Sequence, residues 1–142
     1  DITLEGTLFV PDIPGQHPAV VLVHGSNSSD REKYRAEAEM FAEAGIAALV
    51  YDKRPDGFSK ARGGERSYSV LSDDVSAAVQ ALRSHPDIKP SSIGLWGISE
   101  GAWGASLAAS QPNSSVAFLI TVGAVGVQPV QQQSWLLVNL IP

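Results

Sequence analysis

Apolar positions along the chain fall into two patterns. Some are short unbroken runs, and others recur at every third or fourth residue. Ile2–Val10 alternates apolar and polar side chains and predicts a strand that stops at Pro11. Asp12–Pro18 contains prolines and a glycine and predicts a loop. Ala19–Val23 (AVVLV) is a continuous β-branched run, the pattern of a strand covered on both faces. Over Arg31–Ala44, helical spacing puts Tyr34, Ala38, Phe41 and Ala42 on one side, and Gly45 supplies a helix stop. Ile46–Tyr51 (IAALVY) predicts the next buried strand, followed by a Gly- and charge-rich loop over Asp52–Gly64. Ser72–Ser84 predicts a helix with Ser72 or Asp73 as N-cap and Val75, Ala78, Val79 and Leu82 inward. His85–Ser91 reads as a Pro-containing connection, Ser92–Trp96 as a short strand and Glu100–Ser110 as a helix of small residues. Val116–Val122 (VAFLITV) predicts another buried strand, and the chain beyond Gly126 is Gln-rich and then apolar.

Strands alternating with helices predict an α/β fold with a mostly parallel, doubly wound sheet covered on both faces. No internal repeat or interdomain linker is visible. Composition agrees: 44% of the 142 residues are hydrophobic and 18% charged, a globular balance. The net charge of −5 disfavours nucleic acid as a partner and offers no basic face to an anionic membrane. The absence of cysteine excludes disulfides and thiolate metal sites. No apolar run has the length of a membrane span, and the strand-like opening residues show no signal peptide. No cluster of His, Asp and Glu has metal-ligand spacing, and no cofactor is expected.

Gly97-Ile98-Ser99-Glu100-Gly101 is a G-x-S-x-G pentapeptide between a predicted strand and a predicted helix. A tight strand-to-helix turn lifts a serine hydroxyl clear of the sheet edge, and it needs small residues two before and two after. Ser99 is therefore the candidate nucleophile, although serines before helices also serve as plain turn residues or N-caps. Such chemistry needs donors for an oxyanion. The backbone amide of Glu100, at the helix N-terminus, is one candidate. The amide of Ser26, in the His24-Gly25-Ser26-Asn27 loop after an apolar strand, is the other.

Three segments together resemble the α/β-hydrolases, and within them the bacterial esterase and acyl-peptidase-like group. They are His24-Gly25-Ser26-Asn27-Ser28-Ser29-Asp30-Arg31, Tyr51-Asp52-Lys53-Arg54-Pro55-Asp56-Gly57-Phe58-Ser59, and Gly94-Leu95-Trp96-Gly97-Ile98-Ser99-Glu100-Gly101-Ala102-Trp103. Asn27, Pro55 and Ala102 stand where that group carries glycine, and Pro55 alters the expected shape of its loop. The resemblance implies hydrolysis of a small-molecule carboxylic ester through an acyl-enzyme on Ser99. Thioester and peptide cleavage are alternatives, because one acyl-transfer apparatus serves all three. It also implies a sheet lacking its last strands, with residues 1–127 as the N-terminal part of the core and 128–142 as the start of a cap or lid helix, or a tail.

The family order places an acid and a histidine after the nucleophile, yet residues 101–142 hold no Asp, Glu, Lys, Arg or His. The expectation is a fragment of a longer hydrolase that is a weak catalyst by itself. A rival is a catalytically inactive hydrolase-like binding domain. His24 lies at the same sheet edge as Ser99 and is the geometric candidate for a substitute base, with packing inside its own loop as the alternative. Asp52, ending a strand at that edge, would buttress His24 or hold its loop with Arg54. Lys53-Arg54 reads as a solvated or ion-paired loop, or as a contact for an acidic leaving group. Asp73-Asp74 reads as a helix-start feature, and His17 and His85 as surface residues at the opposite edge. A nucleotide-binding domain is disfavoured because residues 97–101 lack G-x-G-x-x-G spacing. The uncharged strand and tail also predict self-association, through an open sheet edge or the apolar stretch from Trp135 to Ile141.

Overall fold

The computed structural model describes residues 3–26, 30–54, 68–124 and 126–140, the side chains of Gln133 and Leu140 excepted. The expectations for Ile2, Asn27, Pro55, the rest of the 55–67 stretch and Ile141 lie outside these residues. Five strands form one sheet: β1 (Gly6–Phe9), β2 (His17–Val23), β3 (Ala47–Tyr51), β4 (Ile88–Ile98) and β5 (Leu119–Val122), in the order β1-β3-β2-β4-β5. β1 runs antiparallel to β3, and the other neighbours are parallel. A 3-10 turn (Arg31–Tyr34) leads into α1 (Arg35–Glu43), and α2 (Tyr68–Arg83), α3 (Glu100–Ala109) and α4 (Pro129–Leu140) follow.

Alternate residues of β2 face opposite layers. Val20 and Leu22 pack with Tyr34 and Ala38 from the α1 side, along with Ala48 and Val50 of β3. Ala19, Val21 and Val23 pack with Val75, Val79 and Leu82 of α2 and with Ala105 and Ala108 of α3. The result is an α/β fold with a mixed, mainly parallel sheet between two helical layers. The chain steps from β2 to β3 on one side and then crosses to β4 on the other. Adjacent crossovers thus diverge between β2 and β4, where a doubly wound sheet opens a crevice at its C-terminal edge.

Several local expectations hold for stated reasons. Gly45 (φ +84°) ends α1 in a Schellman arrangement: the Ile46 amide donates to the Phe41 carbonyl and the Gly45 amide to that of Ala42. Others are corrected. α2 starts one turn early, at Tyr68, so Ser72 and Asp73 lie inside the helix and cap nothing at its start. The Tyr68 ring meets the Trp103 ring edge-on at 5.5 Å, a contact on a residue 35 positions away that no local cap signal reports. β4 extends back through Pro90 to Ile88. Its register against β2 shifts between the His17–Ile88 and Ala19–Ile93 pairs, an irregularity in which a proline without an N–H fits. His17 begins β2, is buried, and bonds the Ile13 carbonyl at 3.0 Å, so it is no surface residue. β5 is exposed along its whole length, contrary to its buried-strand pattern, because among the described residues it pairs with β4 alone.

Candidate active site

β2 and β4 pair in parallel up to Val23–Gly97, so the segments leaving them, His24-Gly25-Ser26 and Ser99, emerge side by side. Ser99 sits at φ +52°, ψ −119°, and among the described residues it is the one non-glycine residue with positive φ. That conformation is disfavoured for any side chain with a Cβ and is held by its surroundings. The Ser99 amide donates to the Val122 carbonyl at 2.9 Å, and its carbonyl accepts from the Ala102 amide at 3.0 Å. Ser99 is the N-cap residue of α3, but its hydroxyl caps no amide. Ser99 is exposed, and among the described residues its hydroxyl makes no hydrogen bond.

The flanking glycines have separate steric reasons. A Cβ on Gly97 would lie 2.7 Å from the Gly101 carbonyl oxygen and 2.8 Å from Ala102 Cα. A Cβ on Gly101 would run into the carbonyl oxygens of Val23 and His24. The first glycine lets α3 fold back on β4, and the second seats α3 on the end of β2. Gly25 abuts the turn, since a Cβ there would lie 3.6 Å from Ser99 Cβ and 3.4 Å from the Ile98 carbonyl oxygen. The Ser26 segment therefore borders Ser99, and Ser26 itself is half-buried.

His24 points elsewhere. It is 2% exposed, and its Nε2 donates to the Tyr51 carbonyl. Its ring lies 5.6 Å from that of Tyr34 and 5.0 Å from that of Tyr51, and Nδ1 is buried without a hydrogen-bond partner. Burial pushes the imidazole below its usual range and the Lys53 ammonium adds to this, against the opposing pull of the Tyr51 carbonyl. A buried ring bonded to a strand carbonyl fits the reading of His24 as packed inside its own loop. Asp52 does not buttress it. The Asp52 carboxylate accepts from the Arg31 backbone amide and from its guanidinium, both at 2.9 Å.

The next two residues also pair away from Asp52. Lys53 Nζ donates to the Gly25 carbonyl at 3.3 Å and to Glu100 Oε2 at 2.5 Å. Arg54 Nε donates to both Asp74 oxygens at 2.7 Å, and a terminal nitrogen bonds the same carboxylate. Asp74 is thus a buried counter-ion on α2 and not a helix-start feature. Burial raises the Tyr51 hydroxyl well above its usual range, and the Asp74 carboxylate raises it further. The ion-paired reading of Lys53-Arg54 holds. Their partners, 47 and 20 positions away, carried no local signal. Among the described residues no group of His, Cys, Asp and Glu could hold a metal ion, and no helix is long and apolar enough to cross a membrane.

The family model described as serine aminopeptidase, S33, matches residues 15–141. Thiohydrolase aneE of Aspergillus aculeatus is 34% identical over 99 residues, covering 69% of this chain and 30% of that protein. Polyketide transferase claH of Penicillium crustosum is 36% identical over 135 residues, covering 87% of this chain and 41% of that protein. The chain therefore spans less than half the length of these two relatives. Among solved structures, a thermostable carboxyl esterase from Bacillus coagulans superposes with a TM-score of 0.70 at 23% identity, over 97% of this chain and 46% of its own. A dienelactone hydrolase from Anabaena variabilis gives 0.69 at 25% identity, over 85% and 57% respectively.

Proposed function

The chain belongs to the serine aminopeptidase S33 family of α/β-hydrolases, and we propose that Ser99 is the nucleophile of an acyl-transfer hydrolase acting on carboxylic esters. Ser99 Oγ bonds to the substrate carbonyl carbon, its proton passes through a base to the departing alcohol, and water then releases the acid from the acyl-serine. The amides of Ser26 and Glu100 flank the place where the carbonyl oxygen would gain charge. The observation that carries this reading is Ser99 itself: exposed, with positive φ, its hydroxyl without a hydrogen bond among the described residues, at the divergence of the two crossovers.

A fluorophosphonate probe followed by peptide mapping tests it. Label on Ser99, lost in Ser99→Ala, is expected. Label on a different serine overturns the assignment, and no label at all favours an inactive binding domain. Thioester cleavage is the second reading, because the relative named as a thiohydrolase is 34% identical. Paired oxygen and thiol esters of one acyl group separate the two.

No imidazole of the described residues reaches Ser99, and residues 100–142 contain neither Asp nor His. The 142 residues alone are expected to turn over activated short-chain esters slowly, retaining about 10³–10⁴-fold over water. Rapid turnover abolished by His24→Ala would overturn this.

We also propose that α4 begins a cap over the site, and that the isolated chain self-associates. β5 is paired on one side, and Trp135, Leu137 and Val138 of α4 are exposed. Light scattering showing a 15.0 kDa monomer at micromolar concentration would refute association.

A further inference from the structure

We infer that Lys53 is a positioning residue that sets the gap between the two amides proposed to bind the oxyanion; this rests on the serine-hydrolase reading above. The amides sit on separate pieces of chain. Ser26 follows β2, and Glu100 opens α3 after β4. No covalent link shorter than the intervening chain holds them in register, yet an oxyanion site works only when both donors are aimed at one point.

Lys53, two residues beyond the end of β3, spans the two. Its ammonium donates to the carbonyl of Gly25, the residue before Ser26, and to the carboxylate of Glu100. Both ends are shielded, with the Lys53 side chain 15% and the Glu100 side chain 6% exposed, so the pair is little screened. The Gly25 contact helps fix the plane of the Gly25–Ser26 peptide, and because a trans peptide holds its C=O and N–H antiparallel in that plane, the Ser26 N–H points away from Lys53. The Glu100 contact anchors the first residue of α3 through its side chain while its N–H stays at the helix N-terminus. Gly25 in turn lies against Ser99 and Ile98. A third strand thus ties the β2 loop to the nucleophile turn. Lys53 touches no reacting atom, and an ammonium engaged by a carbonyl and a carboxylate is a clamp, not a base.

The test measures kcat and KM of the full-length gene product on p-nitrophenyl acetate for the parent, Lys53→Met, Lys53→Arg, Glu100→Gln, the Lys53→Met/Glu100→Gln double variant and Ser99→Ala. Rates of fluorophosphonate labelling and thermal melts accompany each. Misplacing a donor by about 1 Å costs about 10²-fold in rate. Lys53→Met is therefore expected to lower kcat roughly 10- to 100-fold with KM changed less than about threefold. Lys53→Arg should recover part of the loss. Glu100→Gln should lose less than Lys53→Met, and the double variant should match Lys53→Met alone, because one ammonium serves both contacts. Should Lys53→Met fail to fold, Glu100→Gln and Lys53→Arg report the same clamp. Unchanged kcat and labelling in both Lys53→Met and Glu100→Gln, with Ser99→Ala inactive, overturns the clamp and leaves the nucleophile standing. Full activity of Ser99→Ala, or no turnover and no labelling in the parent, overturns the nucleophile reading and the clamp with it. A loss confined to KM, with kcat intact, would assign Lys53 to substrate binding and refute the positioning role.

Discussion

β2 and β5 are built from nearly the same residue types, and the molecule treats them in opposite ways. Ala19 to Leu22 of β2 are 0% exposed, whereas Leu119, Ile120 and Val122 of β5 are 38%, 39% and 37% exposed. The difference lies in what surrounds them. β2 has a strand on either side and helices on both faces, while β5 has β4 on one side. A β-branched run therefore predicts a strand and says nothing of its neighbours. The apolar content that builds a core in one place presents a surface in another.

The contrast breaks most sharply at glycines. Gly101→Val drives a side chain into two backbone carbonyls that cannot yield, and a loss of more than about 3 kcal/mol in urea unfolding is expected. Gly126→Ala, with no atom within 4 Å of the added Cβ, is expected to stay within about 0.5 kcal/mol of the parent. Comparable losses at both positions would refute the contrast. Next come the apolar side chains themselves. Leu22→Ala should cost about 3 kcal/mol, by the transfer and cavity terms of a sealed site. Ile120→Ala should cost less than about 1 kcal/mol, since much of that side chain already meets water. If Ile120→Ala costs as much as Leu22→Ala, β5 is covered in solution, and chemical denaturation of the two variants decides it.

Charge pairs sharpen the same point with smaller effects. Arg54→Met leaves the buried Asp74 carboxylate beside the Tyr51 hydroxyl without its guanidinium. Breaking a fully buried pair costs about 3–5 kcal/mol, and the 23% exposure of Arg54 brings the expected cost to about 2 kcal/mol. Arg35→Met, which removes exposed partners of Glu32 and Glu39, should cost no more than about 0.5 kcal/mol. The smallest effect is that of pH. Burial lowers the pKa of folded His24 and disfavours its protonation, while the unfolded chain takes up a proton near the ordinary histidine value of about 6.5. The unfolded state then binds more protons, so this contribution is fully present above about pH 7 and declines as pH falls through about 6.5. Tm should drop further between about pH 7.5 and 5.5 in the parent than in His24→Asn. Equal drops would show that His24 is not buried neutral.

Much of this was readable along the chain. The unbroken runs located β2 and β3, the pentapeptide with small residues on both sides located the strand-to-helix turn, and Gly45 marked the end of α1. These signals are local, carried within one element. What was not readable depends on contacts between elements. The first turn of α2 rests on the Tyr68–Trp103 ring contact, the N-terminal part of β4 on a register shift that accommodates Pro90, and the exposure of β5 on the partner it lacks among the described residues. The partners of Asp52, Lys53 and Arg54 are 21, 47 and 20 positions away, so three adjacent charges choose Arg31, Glu100 and Asp74 by geometry alone. Sequence shows the edge His24 occupies but not the direction of its ring, which bonds the Tyr51 carbonyl.

The backbone at Ser99 sets stability against the chemistry proposed for it. At φ +52°, ψ −119°, a residue with a Cβ carries a penalty on the order of 1–3 kcal/mol that glycine escapes. Part of that gain is cancelled by the greater freedom glycine restores to the unfolded chain. Ser99→Gly is accordingly expected to melt above the parent while losing the proposed nucleophile. Selection for thermal stability alone would favour the loss of this hydroxyl. In the proposed role of nucleophile, a serine at so unfavourable a position would trade durability for reactivity.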